Sequence, residues 1–312
     1  MKLFLCFIFI VQFASAQDTL SLCSFNIQFL GHFKNKDNTT LSKILSPYDV
    51  VIIQELVAPP VKGKFSDNSP YKVDEESKAF LDEMKKFGFE FWLSTDDTGP
   101  TKNQTNSTAS EWWIIFYKKT KVIPDSSRFF GFVSHPLVAN TNQDRVSYVF
   151  PFKSFNGNST FSLIPVHLNP GDSKEDYDRR QTEFNYLFKW TKEQSETNKD
   201  FLIVGDCNIY KSGEFEKFNL LDFYSLNNKC NPTNTKIYES ITKGKPYDHV
   251  FYNSHSTEDL VLSSFQVIDL KSEVKKYNST NIIEPYNHDD FRAKYSDHLP
   301  VTFQIITGKD TD

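Results

Sequence analysis

Asp206 and Asn208 follow the run Phe201-Leu-Ile-Val-Gly205 at alternate positions. The apolar run reads as a short buried strand that Gly205 ends. If the backbone stays extended beyond it, one carboxylate and one carboxamide point the same way from the strand's end. Such a pair suits a hard cation or a phosphoryl oxygen, although Gly-Asp-x-Asn is also ordinary turn chemistry. The same placement recurs along the chain. Asn26 lies near the end of the apolar stretch Leu20 to Phe29, Glu55 closes Asp49-Val-Val-Ile-Ile-Gln-Glu55, and Glu111 opens Glu111-Trp-Trp-Ile-Ile-Phe-Tyr117. His167 ends Phe161-Ser-Leu-Ile-Pro-Val-His167, Asp248 stands near the start of Lys245 to Tyr252, and Asp297-His298 introduces Leu299 to Ile306. One polar residue at a strand end marks where a chain reaches solvent. Nine in the same kind of place point to ligands gathered at the edge of a sheet, where sites form in α/β folds. Motifs of other chemistries are missing: the sequence has no G-x-S-x-G elbow, no phosphate-binding P-loop and no H-E-x-x-H helix.

The elements that must carry these residues are strands with intervening helices. Helices are predicted over 38–46, stopped by Pro47, over 75–87, closed by Gly88, and over 176–194. Further strands are predicted over 89–93 and 146–152, and Asn156-Gly157 signals a hairpin into the strand that ends at His167. Residues 95–110 are polar and loop-like. With no internal repeat, long linker or compositional break, residues 17–308 are expected to form one domain of mixed sheets flanked by helices.

The first 16 residues have the pattern of an export signal: Lys2, an apolar stretch from Leu3 to Phe13 broken only by Gln12, then Ala14-Ser15-Ala16. A secreted protein beginning near Gln17 is expected, extracellular or periplasmic, and no later stretch is long enough for a membrane span. Without the signal the chain has 34 basic and 40 acidic residues, a formal charge of −6. That excludes gripping nucleic acid by bulk charge, so any polyanion must be met locally or through metal ions. The rest is the composition of an ordinary globular chain: 312 residues, 38% hydrophobic, with 30 Phe and 14 Tyr to fill a core. Cys23, Cys207 and Cys230 remain after export, an odd number, so at least one thiol stays free. Cys23 and Cys207 sit in apolar runs as small buried hydrophobes, and no Cys/His spacing resembles a zinc finger or ribbon. Sequons at Asn38, Asn103, Asn106, Asn158 and Asn278 matter only along a eukaryotic secretory route.

As an ordered set, Phe25-Asn-Ile-Gln28 with Phe29-Leu-Gly31, Tyr48-Asp-Val-Val-Ile-Ile-Gln-Glu55, Glu111, Pro165-Val-His-Leu-Asn-Pro-Gly-Asp172, Gly205-Asp-Cys-Asn208, Tyr247-Asp248 and Ser296-Asp-His-Leu-Pro300 resemble the endonuclease/exonuclease/phosphatase superfamily, most closely its secreted deoxyribonuclease I branch. The resemblance spans almost the whole chain after the signal. It implies a four-layer α/β sandwich, two mixed β-sheets packed face to face with helices outside. It implies Glu55 as principal metal ligand with Asn26, and Asp206 and Asn208 holding a second cation, the attacking water or the phosphate. Asp297 is similar to the acid beside the metal, and Asp248 to the group that orients His298. His167 with Glu111 resembles a second histidine–carboxylate pair, and Arg145 an arginine that meets the substrate phosphate. Three positions depart from the family: Val57 stands where a minor-groove arginine is usual, Ala109 or a neighbour replaces a sugar-stacking tyrosine, and Cys207 replaces Phe or Leu.

The phosphodiester machinery is therefore expected intact, and the DNA-reading contacts are not. The leading expectation is a monomeric, metal-dependent phosphodiesterase using Mg²⁺ or Mn²⁺, with Ca²⁺ as a further candidate, and hydrolysing DNA as an endonuclease. The alternative is a sphingomyelinase-like phosphoesterase acting on a phospholipid head group or inositol phosphate, and a silent binding protein comes third. The alternative calls for a protruding hydrophobic loop beside the site, and the sequence offers no convincing one.

Overall fold

The computed structural model describes residues 18–99, 109–133, 142–157, 159–194, 200–217, 222–257, 260–280 and 283–307. The expected export signal and the sequons at Asn103, Asn106 and Asn158 lie outside the described residues. In chain order the first strands are β1 (Thr19–Leu30), β2 (Val50–Leu56), the short ribbon β3 (Gly63–Lys64) with β4 (Pro70–Tyr71), β5 (Phe89–Leu93) and β6 (Trp112–Lys118). Then come β7 (Val122–Pro124), β8 (Gly131–Phe132), β9 (Tyr148–Ser154), β10 (Thr160–His167), β11 (Phe201–Asp206), β12 (Phe223–Ser225), β13 (Asp248–Asn253), β14 (Gln266–Val267) and β15 (Val301–Ile306). The α-helices are α1 (Asn38–Leu45), α2 (Glu75–Lys86), α3 (Lys174–Gln194), α4 (Leu270–Tyr277) and α5 (His288–Lys294).

Two mixed sheets result. One runs β14-β15-β1-β2-β6-β5, and the other runs β12-β13-β11-β10-β9-β7 with β8 beside β9. The parallel pairs β1–β2 and β10–β11 lie at the middle of each sheet. Burial on both faces gives such strands near-continuous apolar runs, and period-two alternation sorts the residues between two cores. On β2, Val51 and Ile53 join Leu41, Leu45, Phe80 and Met84 of α1 and α2, whereas Val50 and Ile52 join Phe150, Leu163, Leu202, Val204 and Val250 of the other sheet. On the far side, Ile164, Val166, Ile203 and Phe251 pack on Phe184, Leu187 and Phe188 of α3. The layers are helices, sheet, sheet, helix, the sandwich anticipated from the sequence.

The inner faces of the central strands change from apolar to polar toward one end of this sandwich. On β11 the order is Leu202, Val204, Asp206; on β10 it is Leu163, Pro165, His167; on β1 it is Leu22, Ser24, Asn26. β13 runs antiparallel to β11, so Val250 precedes Asp248 in the same direction. Register then aligns His167 with Asp206 across β10–β11, and Asp206 with Asp248 across β11–β13. Three chemically active side chains thus form one row by strand pairing alone.

Gly205 lets the sheets close on that row. Its φ of +140° lies where L side chains are strained, and an added Cβ would sit 2.4 Å from Val166 O and 3.1 Å from Gln54 Nε2 of the facing sheet. Gly205→Ala is expected to cost about 2–4 kcal/mol, summing backbone strain and overpacking. Urea unfolding checks this, and an unchanged midpoint would refute it.

Both cysteine expectations hold: Cys23 and Cys207 are completely buried, and all three described cysteines are free thiols. Among the described residues no helix is long and apolar enough to cross a membrane. The two described sequon asparagines already use their side-chain amides, Asn38 Nδ2 donating to Glu76 and Asn278 Nδ2 to Asp37 at 2.7 Å each.

Candidate active site

Asp206 is the centre of the polar end. Its Oδ2 accepts from Asn26 Nδ2 at 3.0 Å and lies 3.5 Å from His167 Nε2 and 3.4 Å from His298 Nε2. Asn26 Nδ2 also donates to Glu55 Oε1 at 2.8 Å, which joins the first sheet's carboxylate to the second sheet's. Each histidine has a carboxylate behind its ring. His298 Nδ1 is 2.8 Å from Asp248 Oδ2, and His167 Nδ1 is 2.9 Å from Glu111 Oε1. The first contact is a hydrogen bond; the second is close but not aligned as one.

Local folding supplies these positions at the expense of backbone regularity. Gln28, Phe29, Glu55 and Asn208 all have φ between +47° and +61°, a region uncommon for residues with a side chain. The pairings of β1 with β2 and of β2 with β6 shift register beside Glu55. Such bulges re-aim side chains near active sites. Glu55 is fixed in its turned position by Phe29 N, which donates to Oε2 at 3.0 Å, while its own N–H donates to Glu111 at 3.2 Å. The extended path assumed beyond Gly205 is corrected here: the strand stops at Asp206, and Asn208 turns into the left-handed region. Asn208 N caps Asp206 Oδ1 at 2.9 Å while its amide donates to Leu168 O at 2.9 Å. The turn chemistry is what holds the two functional groups together. His298 is placed by Ser296, whose hydroxyl donates to Asn26 O at 2.6 Å and accepts from His298 N at 3.0 Å.

Arg145 Nε donates to Glu111 Oε1 at 2.6 Å, so in this structure Arg145 holds Glu111. Burial works against the Glu111 carboxylate, but His167 and Arg145 hold it down at about 2. His298 is raised well above the ordinary imidazole range despite burial, because Asp248 and Asp206 face it; His167 is raised by Glu111 and Asp206 against burial and Arg145. Burial pushes Glu55 up in the absence of a cation, with His167 opposing.

Those buried acids fit a divalent metal. Glu55, His167 and Asp206 converge donor atoms within 4.8 Å of one another, and so do Asp206, Asp248 and His298. Asp248 Oδ1 and Asp297 Oδ1 are buried without a hydrogen-bond partner among the described residues, an arrangement that a cation satisfies, as a water or a proton also does. A histidine enters both clusters, and Asp297 belongs to neither. Asp297 lies close enough to act electrostatically on Glu55 and His298.

The model of the endonuclease/exonuclease/phosphatase family matches residues 23–298. The chain belongs to that family. Solved structures agree on the fold. An endonuclease/exonuclease/phosphatase family protein from Bacteroides thetaiotaomicron is 16% identical, with TM-score 0.56, over 95% of this chain and 96% of that one. D. rerio TDP2 complexed with single strand DNA product is 14% identical, with TM-score 0.52, covering 93% of this chain and 99% of that one. The human Nocturnin catalytic domain with bound sulfate anion is 14% identical, with TM-score 0.51, over 93% and 97%. No curated protein matches. Family membership and the buried donor clusters make this endonuclease/exonuclease/phosphatase chain a phosphoesterase with a divalent-metal site.

Two residues escaped the sequence reading. Lys36 is 7% exposed and donates to Tyr295 O at 2.8 Å; burial lowers its ammonium to about 7, with Glu55 and Asp297 opposing. A lysine in a polar loop carries no sequence signal of burial. Glu183 of α3 is fully buried, and its two oxygens accept from Asp144 N at 3.0 Å and Asn169 N at 2.8 Å. It therefore ties the segment before Arg145 to the segment after His167. Burial raises its carboxyl to about 7. Because that value is raised, its share of stability is fully present in acid and lost as pH rises through about 7. Glu183→Gln leaves one of the two N–H groups facing an amide NH₂, expected to cost about 1–3 kcal/mol and to flatten stability against pH between about 4.5 and 7. Urea unfolding across that range is the check; an unaltered slope would count against the role.

Proposed function

We propose that this protein is an exported, Mg²⁺-dependent phosphodiesterase that hydrolyses nucleic acid, DNA first, as a deoxyribonuclease I-like endonuclease. The observation that carries the reading is the pair of carboxylate-backed histidines whose Nε2 atoms face Asp206 Oδ2 from 3.5 and 3.4 Å. A phosphodiester needs proton donors around its non-bridging and leaving oxygens and an acceptor for the attacking water's proton. Both histidines are biased toward the protonated form, so they act as donors to the pentacovalent phosphate. Asp206, between them, is the acceptor and orienting group on the water's side. Glu55 and Asp206 would hold a divalent cation, which would supply Lewis-acid polarisation of a phosphoryl oxygen, and His167 Nε2 keeps its proton outside that ligand set. Mn²⁺ serves in place of Mg²⁺, and Ca²⁺ is a further candidate for the same site. The TDP2 complex with single strand DNA product shows this scaffold meeting DNA in a relative.

One observation favours the alternative, a lipid or inositol phosphate head group. Phe29 is 37% exposed and packs on His32 and Phe33, directly beside its own N–H contact to Glu55. An apolar edge there would meet a membrane surface. The experiment is hydrolysis of plasmid DNA, RNA, sphingomyelin and inositol phosphates with and without EDTA, on protein secreted with its N-terminus near Gln17. DNA cleavage lost in EDTA and restored by Mg²⁺ or Mn²⁺ is expected. Faster turnover of sphingomyelin than of DNA would replace the nuclease reading. Binding to duplex DNA should also weaken only gently with salt, log K against log salt sloping about −2 to −4 for roughly two to four phosphates. A steeper slope would mean a basic interface that the net charge of −6 without the signal conceals.

A further inference from the structure

A cleft of about 540 Å³ opens immediately outside the catalytic row. Its walls come from the three segments that carry His167, Asn208 and Asp248: Asp172 follows the first, Tyr210 and Lys211 the second, and Lys245 precedes the third. The N-terminal turn of α3 closes it with Lys174 and Tyr177. The wall is rigidly built. Arg180 is 1% exposed, donates through Nε and Nη2 to Glu214 Oε2, and through Nη1 to the carbonyls of Asn169 and Gly171. Gly171 N donates to the Tyr210 hydroxyl at 3.1 Å, and Tyr210 N to Glu214 at 3.0 Å. Tyr247 joins this wall to the catalytic end, its ring 5.0 Å from Tyr210 and 5.5 Å from His298.

Its electrostatics differ from the acidic chain around it. Glu214 is taken up by Arg180, and Lys174 is bound to Asp178 at 2.7 Å. Lys211 and Lys245 have no carboxylate partner among the described residues, and Lys245 Nζ stands 5.7 Å from the centre of the Tyr210 ring. Only Asp172 opposes them on this wall. Tyr210 already carries Arg180 and Lys245 over its ring at 5.3 and 5.7 Å, so the cleft presents the Tyr177 ring, the Tyr210 edge and those two lysines, in a volume suited to a small group that is both flat and anionic.

We propose that this cleft is a nucleotide subsite: the nucleoside next to the scissile phosphate packs against Tyr177 and Tyr210, and its outer phosphate meets Lys211 and Lys245. The inference rests on the proposed phosphodiesterase activity and specifies what flanks the reacting phosphate.

The test uses hydrolysis of bis(p-nitrophenyl) phosphate in Mg²⁺, inhibited in turn by inorganic phosphate, phosphocholine, thymidine 5′-monophosphate and thymidine 3′,5′-bisphosphate. The monophosphate is expected to inhibit about tenfold more tightly than phosphate or phosphocholine, and the bisphosphate by a further factor of about five. In the double variant Lys211→Gln, Lys245→Gln the second gain should vanish, and in Tyr177→Leu the first should shrink. Ratios are taken within each protein, so a general loss of activity cancels. Equal inhibition by phosphate, phosphocholine and the monophosphate overturns the subsite, as does a double variant that keeps the bisphosphate gain. Plasmid cleavage is read separately. Cleavage with a flat inhibitor series sinks the subsite alone; an intact series without cleavage keeps the subsite and sinks the nuclease reading.

Discussion

Glu55→Gln is expected to lower turnover by more than about 10³-fold, because Lewis-acid stabilisation worth several kcal/mol depends on that carboxylate's charge. The substitution keeps the shape of the side chain and changes its electrostatics. Glu55 Oε1 accepts from Asn26 at 2.8 Å and Oε2 from Phe29 N at 3.0 Å. A carboxamide can serve one of these donors and must turn its NH₂ toward the other. The charge matters more than the lost acceptor. Glu55, Glu111, Asp206, Asp248 and Asp297 crowd this end, and His167, His298, Arg145 and Lys36 supply the described positive charge beside them. A divalent cation relieves the remaining repulsion, so the wild type should gain thermal stability on Mg²⁺ titration. The variant should show little gain. Scanning fluorimetry against Mg²⁺, read alongside the hydrolysis rate, separates the two effects. A variant that keeps both the Mg²⁺-dependent rise in Tm and the wild-type rate would remove Glu55 from the metal site.

The strand ends were legible because burial and pleat act locally. Alternate residues of a strand share a face, and where the inner face turns polar the sequence shows it, as at Val204-Gly-Asp206 and Pro165-Val-His167. The register that lines up His167, Asp206 and Asp248 involves residues 39 and 42 positions apart, and no periodicity encodes it. Family resemblance carried that information, and it placed Glu55, Asn26 and the two histidine pairs at one end of the sandwich. It was silent on what is particular to this chain. Glu183 is one acid among several in α3, and only the folded loops reveal that it clamps Asp144 and Asn169. The positive φ of Glu55 and Asn208 was equally hidden, since neither residue type demands it and tertiary contacts impose it. The short helices α4 and α5 were missed as well. Each begins at a capping residue, Asp269 or Asn287, but only two buried side chains of α4 and one of α5 mark a helical face.

His167→Ala and His298→Ala are each expected to reduce kcat by about 10²–10⁴-fold, the range for loss of a positioned acid or base. Their protonation carries the argument. Asp248 at 2.8 Å and Asp206 at 3.4 Å hold His298 well above the ordinary imidazole range, and Glu111 and Asp206 raise His167. At neutral pH both rings then keep the proton that a donor to the developing phosphorane must have. Activity should therefore persist above pH 6.5, the ordinary histidine value, and decline only at higher pH. Asp248→Asn keeps a hydrogen-bonding atom behind His298 and removes the charge, so this basic limb should move down. Stability carries the same sign. A raised folded pKa gives stability that is fully present below the unfolded value and lost as pH rises through the folded one. Wild-type stability should thus fall above pH 6.5, and more steeply than that of Asp248→Asn. His167 is the stricter test, because its 2.9 Å approach to Glu111 is not aligned as a hydrogen bond and Arg145 shares the same oxygen. If His167 serves only to fill the end of β10, His167→Ala will lower the unfolding midpoint while the folded protein turns over normally. Retention of more than about half the wild-type kcat by folded His167→Ala, far below the effect of losing a general acid, would leave His298 as the sole donor and refute the paired arrangement.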